Sequence, residues 1–222
     1  MKVRVPYRPV HILIFLILAF LCYQAHQLAR HLVGAALCGG FGSMTFSVTT
    51  TREPCLLPAL VTLSGPVLTY GLAWLGMFLI HSPKYKLFAY ALIFASFAHL
   101  RFIQTLTGRG DELILAEQWF GISSQVIVAA IVFLIGLPPV IAAYRVIANR
   151  RRTLVFIGSW LLPILVLIVL LVGNAMLFGA NGIGTQVPSF LGIPLIVLIT
   201  DLIASVLLIM LLPRYLRPQE ET

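Results

Sequence analysis

The chain has 222 residues, of which 60% are apolar and only 10% are charged. Soluble proteins carry roughly 25% charged residues, so this chain has too little polar surface to cover a water-facing fold. With a mean hydropathy of +1.02, disorder, coiled coil and a disulfide-rich secreted scaffold are excluded too. The net charge of +8 reads as membrane topology, because basic residues collect in cytoplasmic loops. No basic stripe with interleaved aromatics is present, so nucleic acid is not an expected partner.

Long apolar runs lie near 10–36, 56–80, 87–107, 119–143, 153–178 and 187–212. Each can cross ~30 Å of hydrocarbon at ~1.5 Å per residue. The expectation is an all-α polytopic membrane protein with six transmembrane helices. Its N- and C-termini are cytoplasmic, and a short outer β-hairpin follows the first helix. A cytoplasmic N-terminus puts eleven of the fifteen basic residues on one side: Lys2, Arg4, Arg8, Lys84, Lys86, Arg145, Arg150, Arg151, Arg152, Arg214 and Arg217. Arg30, Arg52, Arg101 and Arg109 remain on the other half, and an odd number of spans would spoil the alternation. The first apolar stretch runs on too far, with no small-residue cleavage site, to read as a removable signal peptide.

The expected outer loops are 37–55, 108–118 and 179–187. Ser43–Thr50 alternates and is rich in β-branched residues, as a strand or hairpin would be. Gly179-Ala180-Asn181-Gly182-Ile183-Gly184 is a turn-rich connector. Pro138-Pro139 predicts a kink in the fourth helix. Cys38 and Cys55 flank the first loop and either pair in an oxidising compartment or stay as free thiols. Cys22 lies in an apolar helix. No repeat or soluble domain emerges, so residues 1–222 read as a single membrane domain.

Ionisable groups inside a bilayer are costly and mark candidate sites. The first helix carries Gln24-Ala25-His26-Gln27-Leu28-Ala29-Arg30-His31. Gln27 and His31 share a face at i and i+4, as do His26 and Arg30. One reading is an interfacial cluster whose Arg and His reach for headgroups.

A second reading follows from the order of motifs. Gln27-Leu28-Ala29-Arg30-His31 falls in the register of H-E-x-x-H, and Gly39-Gly40 then leads to the strand-like 43–50. Ser64-Gly65-Pro66-Val67-Leu68-Thr69 stands where A-G-P-x-x-N would. Over residues 20–80 this resembles the site-2 protease family of intramembrane zinc metalloproteases. In that family two histidines one helical turn apart bind zinc, and the glutamate is the general base. Here Gln27 and Leu28 replace the first histidine and the glutamate. His26 is no simple substitute, because i and i+5 point about 140° apart. The family's D-G aspartate has no counterpart, the nearest thing being Gly110-Asp111-Glu112 in reverse order.

The resemblance implies a degenerate, non-hydrolytic member with no cofactor. Such a chain binds or assembles membrane partners, or holds a transmembrane peptide, in a groove around Gln27, Arg30, His31, Gly65 and Pro66. A simple packing kink also explains Gly65-Pro66. One alternative is a metal-dependent peptidase with zinc on a rearranged site of His26, His31 and Asp111 or Glu112. The two carboxylates also suit a helix N-terminus on electrostatic grounds alone. Another alternative is a small proton-linked transporter or channel. Asp201 lies 13 residues before Arg214, and His99 lies 13 after Lys86, each ~20 Å deep. An Asp201 pair with His99 or Arg101 would relieve the desolvation cost, as a relay or as a structural clamp. The expected location is a cell membrane, multi-pass, of the bacterial inner-membrane type.

Overall fold

Proline opens the first two membrane helices. Pro9 and Pro58 each stand in the first turn, where a missing N–H costs nothing and the fixed φ suits the helix. The computed structural model describes residues 2–108, 110–179 and 188–216. Its helices are α1 (Pro9–Leu37), α2 (Pro58–Leu79), α3 (Lys86–Ala95), α4 (Ala98–Leu106), α5 (Asp111–Phe120), α6 (Gln125–Val146), α7 (Arg152–Phe178), α8 (Leu195–Leu211) and α9 (Pro213–Leu216). Strands β1 (Ser189–Phe190) and β2 (Ile193–Pro194) pair antiparallel. Six segments are long and apolar enough to cross a bilayer: α1, α2, α3 with α4, α6, α7, and α8 with α9. The chain is thus a multi-pass membrane protein by length and composition.

α3 is the centre of the bundle. Every residue from Ala89 to Ala95 is buried, and the helix packs on α1, α2, α6 and α7. A helix that is apolar all round needs such a place. α8 is the least buried of the six and packs mainly on α1. Both described chain ends lie at one end of the bundle. There Val3 bridges to Ile147, and the Asn149 amide bonds the N–H and the C=O of Val5. The Tyr215 hydroxyl donates to the His11 carbonyl at 2.9 Å.

Three expected boundaries move, each for a local reason. The third helix is broken at Ser96–Phe97. Phe97 adopts a left-handed conformation (φ 63), and the Ser96 hydroxyl turns back to the Ile93 carbonyl. The fourth span starts at Gln125 rather than at 119. Residues 111–120, expected as a loop, form α5, and Gly121 ends that helix at φ 64. The Ile122 N–H bonds the Ala116 carbonyl, as in a Schellman ending. The last span starts at 195 rather than 187, because 189–194 makes a tight hairpin. Its two loop residues, Leu191 (φ 51) and Gly192 (φ 77), both have positive φ, as a type I′ turn requires.

Pro138 and Pro139 lie inside the single helix α6. Pro139 has no N–H for the Ile135 carbonyl. That carbonyl instead accepts a hydrogen bond from the Trp74 indole at 3.2 Å, so α2 satisfies the group that the proline leaves free.

At the far end, opposite the chain termini, Cys38 and Cys55 form a disulfide. Between them Met44 and Thr49 make an antiparallel bridge, where the sequence suggests a hairpin. This turn joins the β1–β2 hairpin through Met44 N–H to Gly192 O, 3.0 Å. The connector at 180–187 and residues Arg109 and Arg217 lie outside the described residues.

Two glycines of α2 test the packing. A methyl on Gly76 would come within 2.8 Å of the Ile93 side chain and 2.9 Å of the Ala89 carbonyl, whereas at Gly71 it meets nothing. Gly76→Ala is expected to cost about 1–3 kcal/mol, and Gly71→Ala to stabilise by about 0.5–1 kcal/mol. Thermal midpoints in detergent should therefore move in opposite directions.

Candidate functional site

The polar segment of α1 divides by helical register. Gln24, Gln27 and His31, spaced three and four residues apart, share one face and meet the two far-end hairpins. His26 and Arg30 lie on the neighbouring face and meet α2, α4 and α5.

On the first face, Gln27 is buried and fully engaged. Its amide N–H group donates to the Tyr23 hydroxyl at 3.1 Å and to the Ser47 carbonyl at 3.2 Å. Its oxygen accepts from the Thr49 hydroxyl at 2.9 Å. The Gln24 amide reaches the Phe46 carbonyl at 3.5 Å. His31, 2% exposed, donates from Nε2 to the Leu191 carbonyl at 2.8 Å and lies beside Phe41. Leu191 is the non-glycine residue with positive φ, a conformation that persists only when its surroundings hold it. Leu28 turns outward and is 38% exposed.

On the second face the charges converge. α5 begins with Asp111 and Glu112, where the helix dipole favours acids. Asp111 takes Arg30 Nη1 at 3.1 Å on one oxygen and Arg101 Nη1 at 3.2 Å on the other. Arg101 Nε stands 3.7 Å from Glu112, which also accepts from the Tyr70 hydroxyl at 3.0 Å. Arg101 Nη2 lies 3.0 Å from both ring nitrogens of His26, so it is shared between them rather than aimed at one lone pair. His26 Nδ1 meets the Thr69 hydroxyl at 2.9 Å, and Nε2 lies 3.6 Å from Asp111, too long for a hydrogen bond. Two guanidinium groups thus face two carboxylates in a buried, self-neutralised cluster drawn from α1, α2, α4 and α5.

Gly65 makes room for this cluster. A methyl there would fall inside the His26 imidazole. Gly65 and Pro66 are both buried in α2. Gln27, Arg30, Gly65 and Pro66, expected around an open groove, therefore spend their surfaces on internal contacts.

The structure brings together His26, Asp111 and Glu112 but leaves His31 with the β hairpin. Among the described residues, no group of three or more His, Cys, Asp or Glu side chains could hold a metal ion. The physical reason is that Arg101 and Arg30 occupy the place between the carboxylates where a cation would sit. The intramembrane pair also differs from expectation. Arg101 is engaged with Asp111 and Glu112. His99 donates from Nε2 to the Trp160 carbonyl at 3.0 Å. Asp201 makes no ion pair among the described residues, and its Oδ1 is buried without a hydrogen-bond partner. α8 packs on α1 rather than on α3 and α4.

Thr69, Tyr70 and the Phe97 break are the parts that sequence reasoning missed. Thr69 had a signal, since it stands at the polar end of the A-G-P-x-x-N register. Phe97 had none, because a bulky residue does not advertise a left-handed break.

Burial would raise the Asp111 carboxyl, but contact with His26 and the charges of Arg30 and Arg101 outweigh it and hold the group at about 2. A depressed folded value means stability that is present above the ordinary 3.8 and lost as pH falls toward 2. The side chain is 14% exposed, so the shift corresponds to about 2 kcal/mol. Unfolding midpoints should drop as pH falls from 4 to 2, and Asp111→Asn should flatten that drop. At neutral pH, Asp111→Asn leaves buried guanidinium groups uncompensated and is expected to cost about 3–5 kcal/mol, with part recovered in Asp111→Leu/Arg101→Met. No protein family, curated protein or solved structure matches this chain.

Proposed function

We propose that the chain is a non-hydrolytic membrane subunit that binds or assembles other membrane-embedded segments. On this reading it keeps an architecture resembling the site-2 protease core and has given its catalytic positions to structural work. One observation carries the reading. Each position of the H-E-x-x-H register has a different task here. Gln27 ties down the 43–50 turn. Leu28, in place of the general base, faces outward and cannot accept a proton. The His31 nitrogen Nε2 is committed to Leu191.

The proposed orientation places both termini in the cytoplasm of a bacterial-type inner membrane. The charge asymmetry supports it, with eleven of fifteen basic residues on the terminal side. The disulfide at the opposite end is consistent with an oxidising compartment there.

The competing reading is a zinc peptidase on His26, His31 and Asp111 or Glu112. It requires Arg30 and Arg101 to leave the carboxylates and His31 to leave the hairpin. Elemental analysis of chelator-free protein separates the two. The expected result is far less than stoichiometric zinc, and no cleavage of transmembrane peptides in nanodiscs with or without added zinc. Stoichiometric zinc that disappears on His31→Ala, together with zinc-dependent cleavage, overturns the proposal.

A further inference from the structure

α1, α7 and α8 enclose an apolar groove of about 540 Å³, whose walls include Phe20, Leu170, Gly173, Thr200 and Ala204. Two features of it serve no purpose within the chain. The first is Gly173. Glycine weakens a helix relative to alanine, yet a methyl at this position would meet nothing. No contact inside the protein asks for a missing side chain there. A close-packed external helix does, because small residues let helix backbones approach in a membrane. A lipid tail, which adapts to any surface, makes no such demand.

The second feature is a set of acceptors without donors at one end of the groove. Asn174 follows Gly173, and its Oδ1 is buried and unpartnered. Gln24 stands one turn beyond Phe20 on the same face of α1. It is 3% exposed, and its Oε1 has no partner. Its amide holds the carbonyl of Phe46, itself a groove residue. Asp201 follows Thr200 and shares a face with Ala204 three residues on, and its Oδ1 is likewise unpartnered. Each of the three helices that build the groove contributes one such oxygen.

Resting on the reading of the chain as a subunit that holds membrane segments, we infer that this groove docks a transmembrane helix of another protein, and that the helix presents a lysine to Asp201, Asn174 and Gln24. A lysine ammonium brings three donors and no acceptor, the complement of what the groove offers. The chain does not supply that cation itself, since Arg30 and Arg101 are bound to Asp111 and Glu112. A second copy would set carboxyl against carboxyl. The rest of the docked helix lays apolar side chains along the groove.

The test uses full-length protein in nanodiscs and synthetic Leu/Ala membrane helices of about 22 residues. The helices carry Lys, Leu or Glu at the depth of Asp201, six residues from the outer end of α8. Binding is read by fluorescence transfer. The Lys helix is expected to bind roughly tenfold more tightly than the Leu helix, and the Glu helix more weakly than either. Asp201→Asn should erase the Lys preference, and Gly173→Leu should weaken every helix, with folding of both variants checked by circular dichroism. The comparison of helices on wild type needs no variant. Equal binding of Lys and Leu helices overturns the inference. So does a self-association lost in Asp201→Asn, which would make the occupant a second copy. A phospholipid retained by wild type and released by Gly173→Leu, with no discrimination among helices, overturns it in favour of a lipid. Cleavage of a bound helix would sink the functional reading and leave the docking result standing.

Discussion

The charge cluster around Asp111 is the constraint on which the far half of the bundle depends. Two arginines buried among apolar helices are tolerable only when acids meet them. Those acids come from α5, a helix too short to cross a bilayer. Its first turn must therefore be delivered to the interior, by the turn at Gly110 and by packing on α2 and α6. Arg101 must be delivered from the other direction. The left-handed break at Phe97 does this, because a helix that ran on unbroken from α3 would carry Arg101 on another heading. Gly65 is small so that His26 can lie in the same layer. Four helices are thus positioned by one neutralised group of charges.

The neighbouring face of α1 has a different task. Gln27 and His31 hold two hairpins that cap the far end, one closed by the disulfide and one turning through Leu191 and Gly192. These positions give the chain its resemblance to a metallopeptidase. Their hydrogen bonds are those of structural side chains, with donors aimed at backbone carbonyls. A zinc ligand keeps a nitrogen lone pair for the metal and gives only its other ring N–H to a carbonyl. His31 retains Nδ1 without a partner, but no carboxylate or second imidazole joins it among the described residues.

α7 and α8 stand apart from this economy of paired charges. They lean on α1, present broad apolar faces, and leave three polar atoms without partners. In water such atoms would cost little, because solvent would bond them. Within a bilayer each needs a donor, and the bundle offers none. The least buried helices are also the ones whose polar chemistry is unfinished, which is what an incomplete assembly surface looks like in a single chain.

Much of the fold was legible from residues 1–222 alone. Length and composition set the six spans, since a run of apolar residues long enough to cross hydrocarbon has few other destinations. The turn at 43–50 could be read from alternation, and the acids at 111–112 from the preference of carboxylates for a helix start. The helix-period signal did not show that 111–120 is a helix of its own, nor that the last span begins only at 195. Those boundaries depend on positive-φ residues at 97, 121, 191 and 192, and only two of these are glycines. The partners of the charged groups were beyond sequence altogether. Arg101 was read with Asp201, 100 residues away in the chain, and in the structure it meets Asp111, His26 and Glu112. Sequence determined which groups had to be neutralised, because the bilayer penalises each of them individually. Tertiary structure alone decided which ones meet, because that depends on where helices break and which faces they turn together.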